Sequence, residues 1–522
     1  MSFRLTYATM FEPPAALHAS FEAAVERVRG RLGGRYLLHI NGEERATQHY
    51  FTKTNPARTG EVLGEFAAAG PEDAHAALQA AAAAWPAWRS TPIPERAHLM
   101  RRVAQLIEER VYDLAAALSL EVGKNRMEAL GEAQESADFF TLYTQDFVEQ
   151  RGFDRTLPDD PLTGWASHNR SVLKPHGPWV VIAPFNFPLA LTAGPTAAAL
   201  ITGNTVVAKA ASATPWADRL FADCLRDAGL PPGVFNFLSG PGATVGAALT
   251  GSPLTAGVTF TGSHEVGMGI VRALHAPPFP RPCIAEMGGK NACIVTPEAD
   301  LERAALGIVR SAYGLGGQKC SALSRLYVHE RVADELSERL VRQIEAIRIG
   351  DPTRREHWLG PVTTRSGYES FGRYSVALRA PRARLLAGGH ALTEGELRDG
   401  YFVAPTLAEA PLDHPLWGEE MFLPILMLHR VDSRETAMHL ANSSPLGLTA
   451  GFYGGAGEVA WFNEHVQAGT TYANRPQGAT TGAWPGYQAF GGWKGSGSTG
   501  KAIGSFYYLP LYLREQSQTV VD

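Results

Sequence analysis

"WVVIAPFNFPLALTAGPTAAALITGNTVVAKA", residues 179–210, decides the fold. No Lys, Arg, Asp or Glu lies between Lys174 and Lys209, so hydropathy alone would read a membrane span. Pro184, Pro188, Gly194 and Pro195 would interrupt such a helix, and Asn186 and Asn204 would need partners in lipid. The stretch therefore predicts a buried strand, a loop, a helix and a second buried strand.

The same rhythm continues outward. "VFNFLSG" (234–240) and "GVTFTG" (257–262) are short apolar runs spaced by helical segments, which predicts an α/β domain with a largely parallel sheet covered on both faces. After about residue 285 the pattern restarts with "ACIVTP" (292–297), "SRLYVHE" (324–330) and "PILMLHRV" (424–431), separated by helical stretches such as "ADELSERLVRQIEAIRIG" (333–350). A second α/β domain follows from it. Upstream, Pro71 with Glu72 and Asp73 opens an alanine-rich helix towards Trp85, and an amphipathic helical segment runs from about Glu95 to Leu120. "RGFDRTLPDDPLTGWASHNRSVLKP" (151–175) and "SFYYLPLYLREQSQTVVD" (505–522) fit neither domain. The latter reads as a terminal strand, with pairing to a neighbouring subunit and pairing within the chain equally allowed.

The chain has 522 residues, 45% hydrophobic and 19% charged, enough apolar mass for two or more domains. With a net charge of -5 and no block of Lys and Arg, neither nucleic acid nor an anionic membrane surface is an expected partner. Cys224, Cys283, Cys293 and Cys320 have neither metal-ligand spacing nor the density of a disulfide framework, so no metal is expected and a reducing cytoplasm fits best. The N-terminus lacks the features of a signal peptide, and export is not indicated.

Four motifs carry chemistry. In "GLGGQKCSALSRL" (314–326) Cys320 stands among glycines and small residues that leave room for a carbonyl at the thiol; the competing reading is a buried structural cysteine. In "AEMGGKNA" (285–292) Glu286 ends an apolar run, where desolvation would raise its pKa towards that of a base acting on water; the alternative is a salt bridge to Lys290. Asn186 in "APFNFPLAL" offers a side-chain amide to a developing oxyanion, although many turns hold an asparagine. "FTGSHEVG" (260–267) runs from a strand end through Gly262 and Ser263 into a helix with Gly267, an arrangement whose free N–H groups attract pyrophosphate.

Together "PFNFP", "FTGSHEVG", "EMGGKNA", "GGQKCSA", "GEEMFLPIL" and "FGGWKGSG", in this order and spacing, resemble the aldehyde dehydrogenase superfamily. The resemblance runs from "NPARTGEVLG" at 55 to the C-terminus. It implies a Rossmann-type cofactor domain (residues 1–154 and 176–285, with a helical N-terminal extension), a catalytic α/β domain (286–485) and a small β oligomerisation flap (155–175 and 486–522). Within the superfamily the chain most resembles the 1-pyrroline-5-carboxylate dehydrogenases, on "GGQKCSALSRL", the segment ahead of "NPA", and "TTGAWPGYQAFGGWKGSG".

That resemblance implies NAD-dependent oxidation of L-glutamate γ-semialdehyde to L-glutamate through a thiohemiacetal and a thioester. Cys320 is then the nucleophile, Asn186 the oxyanion donor and Glu286 the base for hydrolysis. For the cofactor it implies Lys209 on the adenosine ribose, Ser263, with Gly262 and Gly267, at the pyrophosphate, Glu420 on the nicotinamide ribose and Phe422 beside the ring. Many NAD-preferring relatives read Lys-Pro-Ser-Glu where this chain has Lys209, Ala210, Ala211 and Ser212; with no carboxylate at 212 to repel a 2′-phosphate, NADP is expected as a weaker second.

For the substrate the resemblance implies Ser321 and the Gly482–Ala483 backbone on the α-carboxylate, Gly482 and Ala483 being preferred to the earlier Gly-Ala pair of "NRPQGATTGA". Phe187 and Phe490 would sandwich the aliphatic middle or serve as core. Glu135 would face the same pocket or a solvated helix face. A homo-oligomer, a dimer or dimer-based hexamer, and contact with a separate proline dehydrogenase are also implied. The alternatives are the same chemistry on another semialdehyde or a simple aldehyde, a catalytically silent relative, and a cysteine hydrolase.

Overall fold

The computed structural model describes residues 4–10, 13–276, 278–379, 381–476 and 483–522. Its first seven-stranded sheet contains, in chain order, β1 (Leu38–Ile40), β2 (Glu43–Arg45), β3 (Pro178–Ile182), β4 (Thr205–Lys209), β5 (Phe235–Leu238), β6 (Gly257–Thr261) and β7 (Cys283–Glu286). Their spatial order is β7-β6-β3-β4-β5-β1-β2, parallel from β7 through β5. β3 and β4 are buried at every position, which is why they read as unbroken apolar runs rather than alternating ones. The chain moves outward from β3 through β4 to β5, then returns to lay β6 and β7 on the other side of β3. The crevice at such a reversal, outside the carboxyl ends of the strands, is where open α/β sheets bind ligands.

A second seven-stranded sheet holds β8 (Asn291–Val295), β9 (Leu323–His329), β10 (Arg384–Ala387), β11 (Thr406–Glu409), β12 (Ile425–Val431), β13 (Thr449–Tyr453) and β14 (Thr470–Ala473), in the order β10-β11-β12-β9-β8-β13-β14. All but the β10–β11 pair are parallel neighbours. Only Met287–Lys290 separate β7 from β8. The carboxyl end of one sheet therefore feeds directly into the amino end of the other.

Residues 188–201 form the expected helix between β3 and β4, and it passes through Pro195. No helix among the described residues is long and apolar enough to cross a membrane. The alanine-rich helix extends beyond Trp85 and Pro86 to Ser90. Instead of one segment from 95 to 120 there are two helices, Ile93–Glu109 and Val111–Val122. They break at Arg110, whose guanidinium pairs with Asp227 at 2.6 Å.

The N-terminal helix Ala15–Arg29 is followed by a three-stranded sheet of Gly34–Tyr36, Tyr50–Asn55 and Arg58–Ala67, which the helical periodicity upstream did not foretell. The C-terminal strand Leu513–Val521 pairs within the chain, antiparallel to Ser167–Pro175, which also pairs with Asp154–Leu157. Residues 486–512 stay outside that sheet: Trp493–Lys494 pairs with Leu446–Gly447, and Ser496 and Ser498 bond to residues 283–288.

Candidate active site

Four of the residues singled out from sequence lie at the carboxyl edge of the first sheet. Glu286 ends β7, Lys209 ends β4, Ser263 caps the His264–Leu274 helix just past β6, and Asn186 follows β3. Three others lie at the amino edge of the second, with Cys320 ahead of β9 and Glu420 and Phe422 ahead of β12. The rings of Phe185 and Phe422 meet edge to face at 5.6 Å, so the two edges touch.

Cys320 is the one cysteine of the four that is not fully buried. It leaves the Leu301–Tyr313 helix through a turn in which Leu315, Gly316 and Gly317 all have positive φ, and a side chain on Gly317 would collide with the Leu423 carbonyl. Asn291 holds the loop from the other side. Its amide donates to the carbonyls of Cys320 (2.7 Å) and Ala322 (2.8 Å), and its Oδ1 accepts the Thr449 N–H (3.0 Å). The Cys320 carbonyl also lies against Gly289 so closely that any Cβ there would strike it. Burial pushes the thiol up to about 12, followed by the negative charges of Glu420 and Glu286; the N–H groups of Ser321 and Cys320 pull the other way. No histidine contributes.

Asn291 was missed in the sequence because its neighbours in "GGKNA" drew attention to Glu286 instead. Asn291→Ala removes three hydrogen bonds in the interior and leaves two carbonyls and an N–H unpaired, a loss of about 2–4 kcal/mol. The expected outcome is a lower midpoint in denaturant unfolding together with a reduced kcat.

Asn186 is buried, and its Nδ2 donates to the Gln318 carbonyl at 2.8 Å, tying it to the cysteine loop. Glu286 is buried with Oε2 unpartnered, and burial drives its carboxyl well above the ordinary range against the opposing Gly492 N–H. The salt bridge to Lys290 does not form: the Lys290 ammonium is itself buried without a hydrogen-bond partner and is lowered to about 7, by burial first and then Arg325. An unpaired buried carboxyl oxygen is costly to keep, and ionisable groups perturbed in this way gather at functional sites.

On the cofactor side, Lys209 is buried and donates to the Ala210 carbonyl at 2.9 Å, and burial lowers it to about 8. Exposed Ser212 donates to the Gly240 carbonyl (2.7 Å). Gly262 abuts the Phe260 ring and Gly267 abuts Met287. Glu420 accepts the Gly289 N–H at 2.8 Å, and a side chain on Gly288 would strike its carboxylate. This edge fits a dinucleotide: a serine-capped helix N-terminus for pyrophosphate, a buried ammonium and a carboxylate for ribose hydroxyls.

On the substrate side, Phe187 follows Asn186, and the Lys124 ammonium lies 3.2 Å from its ring centroid. Lys124 pairs with Glu132, which also caps the Pro188–Ile201 helix by accepting the N–H groups of Leu189 (2.9 Å) and Ala190 (3.2 Å). Burial lowers the ammonium and raises the carboxyl, and each opposes the shift of the other. Lys319, beside Cys320, pairs with Glu128 at 2.7 Å. These buried pairs escaped sequence reasoning, since a lone lysine in a loop and a glutamate on a helix both read as solvated.

Glu135 is partly buried rather than fully solvated: burial raises it to about 8, and the Tyr7 hydroxyl donates to it at 2.8 Å. Phe187 and Phe490 are partly buried against the main core. Ser321 adjoins the thiol, and its carbonyl accepts Thr449 Oγ1 at 3.3 Å. Gly482 lies outside the described residues; Ala483 lies within them and precedes Trp484.

The aldehyde dehydrogenase family model matches residues 43–517. A 1-pyrroline-5-carboxylate dehydrogenase of Geobacillus thermodenitrificans is 38% identical over 509 residues, 96% of each chain. 1-Pyrroline-5-carboxylate dehydrogenase 2 of Bacillus subtilis is 38% identical over the same span and coverage. Among solved structures, the 1-pyrroline-5-carboxylate dehydrogenase from Thermus with bound NAD superposes with a TM-score of 0.92 at 36% identity, covering 100% of this chain and 99% of that one.

Proposed function

The chain belongs to the aldehyde dehydrogenase family, and we propose that within it this enzyme oxidises L-glutamate γ-semialdehyde, the hydrolysed form of 1-pyrroline-5-carboxylate, to L-glutamate with NAD. The observation that carries the chemistry is the meeting of a half-buried Cys320, an Asn186 amide tied to its loop and an orphaned Glu286 at the junction of two parallel sheets. Near-full-length similarity to proteins of that name supports the substrate.

In this mechanism the Cys320 thiol gives up its proton to solvent as its sulfur adds to the aldehyde carbon, and the oxygen that becomes negative is met by the Asn186 amide and the Cys320 N–H. Bound NAD would supply the hydride acceptor for that carbon. Lys209, Ser263 and Glu420 would hold it. Glu286 then takes a proton from water, which attacks the thioester and releases the acid with return of the thiol. The amino end of the second sheet supplies the nucleophile and the carboxyl end of the first supplies the base. Ser321 and the Gly482–Ala483 backbone bind the α-carboxylate by neutral donors. NADP serves as a weaker second, because Ser212 presents no negative charge to its 2′-phosphate.

We also propose that the three-stranded sheet of residues 154–157, 167–175 and 513–521 joins copies of the chain, since Trp165, Val520 and Val521 stand exposed on or beside it. A proline dehydrogenase supplies the substrate, and the enzyme works in the cytoplasm.

Initial rates of NADH formation with 1-pyrroline-5-carboxylate, succinic semialdehyde and propanal test the substrate. A site built to bind the α-carboxylate is expected to favour the first by about a hundredfold or more in kcat/KM over propanal. Equal kcat/KM for propanal would keep the dehydrogenase and overturn the assigned substrate.

A further inference from the structure

The turn formed by residues 4–10 closes on itself, with Thr9 Oγ1 donating to the Arg4 carbonyl (2.6 Å) and the Thr6 N–H donating to Thr9 Oγ1 (2.9 Å). This presents Tyr7 inward, where it is buried. Its hydroxyl donates to Glu135, and its ring stands edge-on to Trp484 with centroids 5.1 Å apart. The ring packs so closely on the Arg126–Glu149 helix that a Cβ on Gly131 would come within 2.7 Å of it.

A second tie runs parallel to the first. Trp484 Nε1 donates to Asp138 at 2.7 Å, Arg4 donates to the same carboxylate oxygen at 3.1 Å, and the Arg4 guanidinium lies over the Tyr487 ring. One short strap thus fastens two elements distant in sequence: the helix bearing Glu135 and Asp138, and the turn that follows Ala483. The strap and that turn share the wall of a cavity of about 650 Å³. Burial and the neighbouring Glu135 hold the Tyr7 phenol well above its ordinary value, so it remains a donor throughout the working pH range.

We infer that Tyr7 is a positioning residue for the α-carboxylate end of the substrate, setting the distance between Glu135 and the Ala483–Trp484 backbone from outside the site. The inference rests on the carboxylate-bearing substrate proposed above. It assigns a role to the segment ahead of residue 43, where the family match begins. Its action is on substrate grip, and the reacting thiol is untouched.

The test compares the full-length wild type with Tyr7→Phe, which keeps the ring against Gly131 and Trp484 and removes only the hydroxyl. Arg4→Ala is the second variant; it removes an exposed side chain, so folding is not at stake. For Tyr7→Phe the KM for L-glutamate γ-semialdehyde is expected to rise about fivefold, with kcat and the propanal kcat/KM held within about twofold. Arg4→Ala is expected to move the same KM in the same direction by about threefold. Equal losses on both aldehydes, or no change in either variant, would overturn the inference. A wild type without preference for the semialdehyde would instead overturn the substrate assignment, a result read before either variant is made.

Discussion

Replacing Cys320 by alanine is expected to lower kcat for aldehyde oxidation by about 10⁴-fold or more, the scale seen when a covalent nucleophile is deleted. No other thiol can substitute. Cys224, Cys283 and Cys293 are packed into the hydrophobic cores, out of reach of a substrate, whereas Cys320 is partly exposed. The Cys320 loop is held through its backbone by Asn291, so removing the sulfur leaves the loop's own anchors in place. NAD binding, read by calorimetry, is expected to persist within about threefold, because every proposed cofactor contact lies on other residues. Residual activity above about one part in a hundred would show that the reaction does not pass through this sulfur.

Glu286→Gln is expected to separate the two halves of the reaction. The amide fills the same space at the end of β7 and still accepts the Gly492 N–H, but it takes no proton from water. Steady-state turnover is expected to fall about 10³-fold, with a burst of roughly one NADH per site preserved. The pH dependence follows from the direction of the shift. Burial raises the carboxyl, so its base form gains population only as pH climbs towards that elevated value. Wild-type thioester hydrolysis is thus expected to accelerate with rising pH, and the variant to lose that limb. A variant with no burst and an unchanged pH limb would place the base elsewhere.

The parallel strands were legible because burial on both faces leaves them almost wholly apolar: "WVVI" and "TVVA" admit no alternating reading. The candidate site residues stood out for a related reason. In parallel sheets the functional groups gather at strand ends, so Glu286, Lys209 and Asn186 could be found next to apolar runs. What the sequence hid is held by long-range contacts. Nothing local distinguishes Asn291, which binds two carbonyls in the cysteine loop and an N–H at the start of β13, from any strand-end asparagine.

Lys124 with Glu132, and Lys319 with Glu128, look like solvated charges until the Pro188–Ile201 helix packs over one of them and the cysteine loop over the other. Arg110 separates the amphipathic helix Ile93–Glu109 from the helix Val111–Val122, which is buried on all sides from Leu114 onward. The extent of the three-stranded flap, too, is set by which residues between 486 and 512 bond to the body at 283–288, a choice made by partners far away in the chain.

Oxidation that passes through an acyl group on one sulfur leaves an intermediate that can be trapped. The direct measurement is acid quench of Glu286→Gln after mixing with NAD and L-glutamate γ-semialdehyde, followed by intact-protein mass spectrometry and peptide mapping. One γ-glutamyl acyl group per chain is expected, carried by the peptide that contains Cys320. NADH formed with no acyl-protein, or an acyl group mapped to any other residue, would contradict it.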